Sequence, residues 1–234
     1  MSMQFLLCGD EELKIAAVQC ISTVISRCPA QYALPFLQAD LPEFLFDALF
    51  TTNELLIWSI YCCLSTFKEE HLFYTRCHTI YDHFVGGWGV LGALDLNLDT
   101  PSTCAKSVGG MEVLLQSMCH LLKMTNIEAQ REGFCLLWEI LHRQPAGLQL
   151  FPSCTLYYMA INVLKAGVGV QTLDVSSQAV RAVSAFLRKD HTVIPLPYSE
   201  LISLLESLAQ AMPKSSYPHA SRRKVSVFWC LPQW

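Results

Sequence analysis

The sequence predicts an all-α chain, an α-solenoid of about four helical repeats broken by an irregular insertion. Three observations carry this. Two stretches align without a gap at an offset of 116, GDEELKIAAVQCISTVISRCPA (9–30) and TNIEAQREGFCLLWEILHRQPA (125–146). Four long amphipathic segments recur at a nearly constant spacing once one interruption is removed. No window of comparable length shows the period-2 alternation of a half-buried strand.

Within the aligned pair, Glu12 falls on Glu128, Arg27 on Arg143, Pro29 on Pro145 and Ala30 on Ala146. Apolar residues coincide at Val18/Phe134, Ile21/Leu137, Val24/Ile140 and Ile25/Leu141, the stripe of an amphipathic helix. Asp10 and Asn126 coincide as residues able to cap a helix start, and proline ends both helices at the same place. A second long segment, TTNELLIWSIYCCLSTFKEE, opens with Thr51-x-x-Glu54, which reads as a capping box. A fourth, TLDVSSQAVRAVSAFLRKD, carries a small apolar stripe at Ala179, Ala182 and Ala185–Phe186.

The four long segments begin near residues 9, 52, 125 and 172, with separations of 43, 73 and 47. Treating 82–108 as an insertion of 27 residues reduces the middle spacing to 46. A period in the low-to-mid forties is that of armadillo and HEAT repeats. Shorter helices would form the other layer: LPEFLFDALF (41–50), GGMEVLLQSMCHLLK (109–123), SCTLYYMAINVLKAG (153–167) and YSELISLLESLAQAM (198–212). Pro42 suits a first helical turn, Ser153 and Ser199 suit N-caps, and Gly167 suits the position after a helix end. The domain plan is therefore helical repeats over 1–81, a Gly/Ser/Pro-bearing insertion over 82–108, repeats over 109–212 and a non-repeat tail over 213–234.

Composition agrees with a packed array. The 234 residues are 52% hydrophobic and 15% charged, which excludes wholesale disorder. Mean hydropathy is high, at +0.33. Even so, Leu55–Phe67 is too short to span a bilayer, and 150–170 is interrupted by Pro152, Asn162, Lys165, Gly167 and Gly169. The N-terminus lacks the basic start and long apolar run of a signal peptide. A net charge of −4 argues against a broad nucleic-acid footprint. Eleven cysteines, none in a C-x-x-C pair, read as free thiols of a reducing compartment, behaving in helices as small hydrophobes at Cys20, Cys62, Cys63 and Cys135.

The stretch GWGVLG places glycines at 87, 89 and 92, the spacing of a dinucleotide-binding turn. That turn requires a strand before it and a helix after it. Here RCHTIYDHFV precedes it and Pro101 soon follows, so no βαβ unit surrounds it and the stretch belongs to the insertion. Cys77-His78 and Cys119-His120 lack the companion spacing of a zinc site. Glu11-Glu12 and Glu69-Glu70 sit at expected helix starts, where carboxylates complement the macrodipole. Trp58 and Trp138 fall within apolar stripes and read as packing residues. No catalytic motif, cofactor site or metal site is expected. Arg181 and Arg188 lie seven apart on one helix face with Lys189 beside them. They form either a small basic patch for an acidic partner or a solvated face near a helix C-terminus.

The strings ELLIWSIYCCLSTFKEEHLFYTRCHTIY (54–81), LLWEILHRQPAGLQLF (136–151) and AVSAFLRKDH (182–191) resemble the meiosis inhibitor protein 1 family, whose members are armadillo-like. The similarity runs to about residue 210 and leaves out 82–108 and the tail, so the chain resembles a partial or alternatively spliced form. The resemblance implies a nuclear protein of meiotic prophase. It would support programmed DNA double-strand break formation and homologous chromosome synapsis by binding accessory proteins of the break machinery. It implies no catalytic residues, and no direct contact with nucleic acid, membrane or small molecule is expected. The alternative is a general cytosolic or nuclear solenoid adaptor unrelated to meiosis.

Overall fold

The computed structural model describes residues 6, 9–76, 110–145, 149–188 and 197–211. The insertion, the tail, Lys189, Cys77, His78 and the glycine stretch at 87–92 lie outside them. In order, the helices are α1 (Glu11–Arg27), α2 (Pro29–Gln38), α3 (Leu41–Asp47), α4 (Glu54–Ser65), α5 (His71–Arg76), α6 (Gly110–Leu121), α7 (Ile127–Arg143), α8 (Cys154–Val168), α9 (Leu173–Arg188) and α10 (Tyr198–Ala211). There is no strand among the described residues.

Helix starts follow from short polar side chains that satisfy the free amides of a first turn. Asp10 accepts from the Glu12 and Leu13 amides at 3.0 and 3.2 Å, and Asn126 accepts from Ala129 at 3.0 Å. Ser153 accepts from Leu156 at 3.2 Å. Pro42 lies in the first turn of α3. The chain enters that helix through Asp40, whose φ of 59° is left-handed, a conformation that aspartate tolerates better than most residues.

Three local expectations are corrected. The cap of α4 is Asn53, which accepts from Leu55 and Leu56, while Thr51 reaches across to another helix. Helix α10 starts at Tyr198, directly after Pro197, so Ser199 is already inside it. Gly167 lies within α8, and Gly169 caps it. The reason at Gly167 is packing. A Cβ there would lie 2.0 Å from the tip of the Phe134 ring, so only glycine lets α8 close on α7. Two helices escaped the sequence reading. In α2, Pro35 interrupts the amide pattern, and Pro29 both ends α1 and opens α2. In α5, six residues are too few to show a period.

The long helices α1, α4, α7 and α9 pack side by side in chain order. Helices α3, α6, α8 and α10 form a second row behind them, and α2 links α1 to α3. The core lies between the rows, where Phe46, Tyr61, Phe67, Phe73, Phe134 and Phe151 are fully buried. Each such ring contributes roughly 1.5–3 kcal/mol of transfer free energy. The stripe read from the sequence is buried at Val18, Ile21, Ile25, Phe134, Leu137, Ile140 and Leu141, and at Ala179, Ala182, Ala185 and Phe186, whereas Val24 is only half-buried.

Polar side chains lock neighbours together at the edges of this core. Glu11 accepts from the Thr51 hydroxyl at 2.5 Å and from the Asn53 amide at 3.0 Å, joining the starts of α1 and α4. Buried Gln130 donates to the Leu121 and Met124 carbonyls, both at 2.9 Å, and so satisfies the end of α6. Tyr61 and Ser117 share a buried hydrogen bond of 2.6 Å.

Substituting Gly167→Ala should lower stability by about 1–3 kcal/mol, the usual cost of overpacking a closed core, and denaturant titration of the two proteins measures it. The Glu11 carboxyl is held below its ordinary value near 4.5 by the hydrogen bonds from Thr51 and then Asn53. Because its folded pKa is depressed, the stability it contributes is present at neutral pH and lost as pH falls through the folded pKa. Melting temperatures of wild type and Glu11→Gln should differ at pH 7 and converge as pH falls through the depressed folded value.

Candidate interaction site

The outward face of α4, α7 and α9 carries a mixed polar and aromatic strip. Its centre is Trp138, half-buried on α7. The guanidinium carbon of Arg181, from α9, lies 3.9 Å from the centroid of that indole. A contact of this kind at an exposed site is worth about 0.5–1 kcal/mol. Arg181 also donates from Nη1 to Gln178 Oε1 at 2.8 Å. One turn along α7, His142 stacks with Trp138 at 5.1 Å between ring centroids and 13° between planes.

Charges flank this centre. Glu132 accepts from the Ser65 hydroxyl of α4 at 2.8 Å and lies 3.8 Å from Arg131, which pairs with Glu128 at 3.1 Å. Arg143 spans Glu139 and Glu69, each at 3.0 Å, and donates to the Lys68 carbonyl at 2.9 Å. Such exposed pairs add little stability singly. Together they fix the strip's side chains in register across α4 and α7.

Of the expected basic patch, Arg181 and Arg188 are both exposed on α9, and Lys189 lies outside the described residues. Arg181 is not a freely solvated cation, because its guanidinium carbon sits over the Trp138 ring. Trp138 packs against the core, as expected, and carries the Arg181 contact as well. The signal available in the sequence was the Trp138–His142 pair at i,i+4, facing an arginine on the next long helix.

The thiols beside the strip are poor nucleophiles. Burial, followed by the Glu132 carboxylate, pushes Cys62 up to about 11, and the same two causes raise Cys135. Burial also raises Cys63, to about 12, and Cys119. The picture of cysteines as small hydrophobes holds for buried Cys63, is partial for Cys62 and Cys135, and fails for exposed Cys20. No three His, Cys, Asp or Glu side chains among the described residues are placed to hold a metal ion. A depression between α6 and α7, lined by Met118, Leu122, Gln130 and Phe134, has no room for a water-sized ligand. No helix among the described residues is long and apolar enough to cross a membrane.

The model of the meiosis inhibitor protein 1 N-terminal domain matches residues 3–82 and 102–229. The chain belongs to that family. Meiosis inhibitor protein 1 of Mus musculus is 36% identical over 223 residues, covering 95% of this chain and 15% of the mouse protein. The Homo sapiens protein is 37% identical over 221 residues, covering 94% of this chain and 15% of its own length. The chain thus spans about 15% of the length of these curated relatives. The domain match continues to 229, past the point near 210 where the resemblance between short strings ends. No solved structure matches. Family membership supports a role in meiosis, and the description of the matching family names no catalytic activity.

In alkylation followed by peptide mapping at pH 8, Cys62 should react about a hundredfold more slowly than an unperturbed thiol, following its thiolate fraction. Reaction at the unperturbed rate would show that burial does not suppress the thiolate.

Proposed function

We propose that this chain is a non-enzymatic, armadillo/HEAT-like helical-repeat scaffold acting in meiotic prophase. It supports programmed double-strand break formation and homologous synapsis by binding accessory proteins of the break machinery, in the nucleus on meiotic chromosomes. Membership of the meiosis inhibitor protein 1 family over nearly the whole chain carries the reading. The two rows of helices support it, since stacked helical repeats offer extended surfaces that bind peptides or helices without reactive side chains.

The strip centred on Trp138 and Arg181 is the surface we assign to that binding, with Arg188 and Lys189 extending it toward the end of α9. Tryptophan and arginine in one half-desolvated contact are the residue types that dominate binding energy at protein interfaces. The acidic balance of the chain favours a protein partner over duplex DNA.

The full chain, tagged and used as bait in extract of meiotic germ cells, should enrich break-machinery or chromosome-axis proteins. The Arg181→Glu, Arg188→Glu variant should lower that recovery about tenfold or more, equivalent to about 1.4 kcal/mol of binding, with its melting temperature lowered by no more than the few degrees that the lost Trp138 contact accounts for. A folded, soluble bait that enriches none of them refutes the meiotic scaffold, and tight binding to duplex DNA at physiological salt refutes the choice of a protein partner.

A further inference from the structure

The last described helix of each row exposes an apolar stripe on the side away from the helix before it. From Asn126 to Thr172, the residues before α7 and α9, the offset is 46. At that offset Phe134 and Leu141 of α7, 1% and 0% exposed, correspond to Val180 and Leu187 of α9, 41% and 40% exposed. Leu173 continues the α9 stripe and is 76% exposed. On the opposite side of α9, Val175, Ala182 and Phe186 are buried. In the second row, Glu200 of α10 accepts from Lys165 of α8 at 2.8 Å. Tyr198, Ile202 and Leu205, on the far side of α10 from Glu200, are exposed.

We propose that a second copy of this chain covers the α9 stripe, the two α9 helices packing antiparallel about a two-fold axis at Val180. The spacing argues for this occupant. Leu173 and Leu187 lie seven residues to either side of Val180. In an antiparallel pair each Leu173 therefore meets Leu187 of the other copy, and the two Val180 side chains meet on the axis. Seven residues drift only about 20° around a helix, which keeps the three in one seam about 21 Å long. Ser177 and Ser184 beside the seam are exposed and too short to hold two helices apart. Charge fits the same arrangement. Asp174 in the first turn and Arg188 in the last are exposed on one flank of the seam. A two-fold axis between antiparallel helices sets like flanks on the same side, so Asp174 of each copy comes within a turn of Arg188 of the other. Parallel packing would set Asp174 against Asp174 and Arg188 against Arg188. Arg181 would approach its own copy near the axis, but it is drawn aside onto Trp138. A self-complementary patch of this kind closes as a two-fold dimer, the commonest soluble oligomer. The assignment does not depend on the meiotic reading.

Sedimentation equilibrium of the full chain tests it. Over about 1–100 µM, the range of modest affinities, the average mass should rise from 26.3 kDa toward twice that value. Val180→Glu, Leu187→Glu should hold the mass at one chain with an unchanged melting temperature, since both side chains are exposed in the single chain. Asp174→Lys and Arg188→Glu should each weaken association about tenfold, because like charges then face each other on both sides of the axis. Mixed in equal amounts, these two variants should associate as the wild type does, because each cation again faces a carboxylate. The mixture decides the matter if the stripe variant misfolds. A wild-type mass that stays at one chain up to about 100 µM overturns the proposal and leaves the stripe to a different protein or to another part of this chain. Association that survives Val180→Glu, Leu187→Glu overturns it too. So does a mixture that associates no better than either charge variant alone.

Discussion

The array depends on aromatic rings meeting glycine between neighbouring helices. Tyr61 of α4 lies against Gly133 of α7, where a Cβ would be 2.9 Å from the ring. Phe134, the next residue of α7, presses on Gly167 of α8. Two adjacent residues of one helix thus set its approach to the helix before it and to the helix after it. Interiors this dense do not deform continuously, so an error at either contact shifts the whole row. The Tyr61 hydroxyl extends the same node into the second row through Ser117, whose hydroxyl donates to the Leu114 carbonyl at 2.8 Å.

Polar contacts act differently from this core. Those at helix starts and ends, such as Glu11 with Thr51 and Gln130 with two carbonyls, satisfy backbone or cap groups that would otherwise be lost to burial or fraying. On the outward face Arg143 likewise satisfies the Lys68 carbonyl, whereas the contact of Arg181 with Trp138 satisfies no such demand. The arginine from α9 could be replaced by a neutral residue without leaving any buried group unpaired. The Trp138–Arg181 contact is thus one that closure of the buried core does not require. The surrounding thiols, raised by burial and a neighbouring carboxylate, add no competing reactivity to it.

Much of the fold was legible because the same helix signals recur in several segments of the sequence. Cap, stripe and stop coincide in α1 and α7, and any one of them alone would be weak. The failures are local and have causes. Thr51 and Asn53 are both capping residues two positions apart, and sequence cannot say which turns inward. Gly167 resembles a helix terminator because nothing in the linear chain reveals the Phe134 ring beside it. Helix α2 contains a proline and α5 is a single short turn, so neither offers a period. At the site, the arginine was legible as a charge but its partner was not, since Arg181 and Trp138 are 43 residues apart and meet only through the packing of α7 on α9.

Helix α3 has a consequence for how this chain can change over evolutionary time. It touches both α5, which ends at Arg76, and α6, which begins at Gly110. The residues between them therefore depart from and return to one short support. Lengthening such an excursion costs only about 0.6 kcal/mol for each doubling, because closure entropy grows logarithmically. A change of length between these two anchors need not alter the register of the rows, and the family match passes over 83–101 at this place. The turn between α8 and α9 has only four residues, and the burial of Ala179, Ala182 and Phe186 fixes the face that α9 presents to α7.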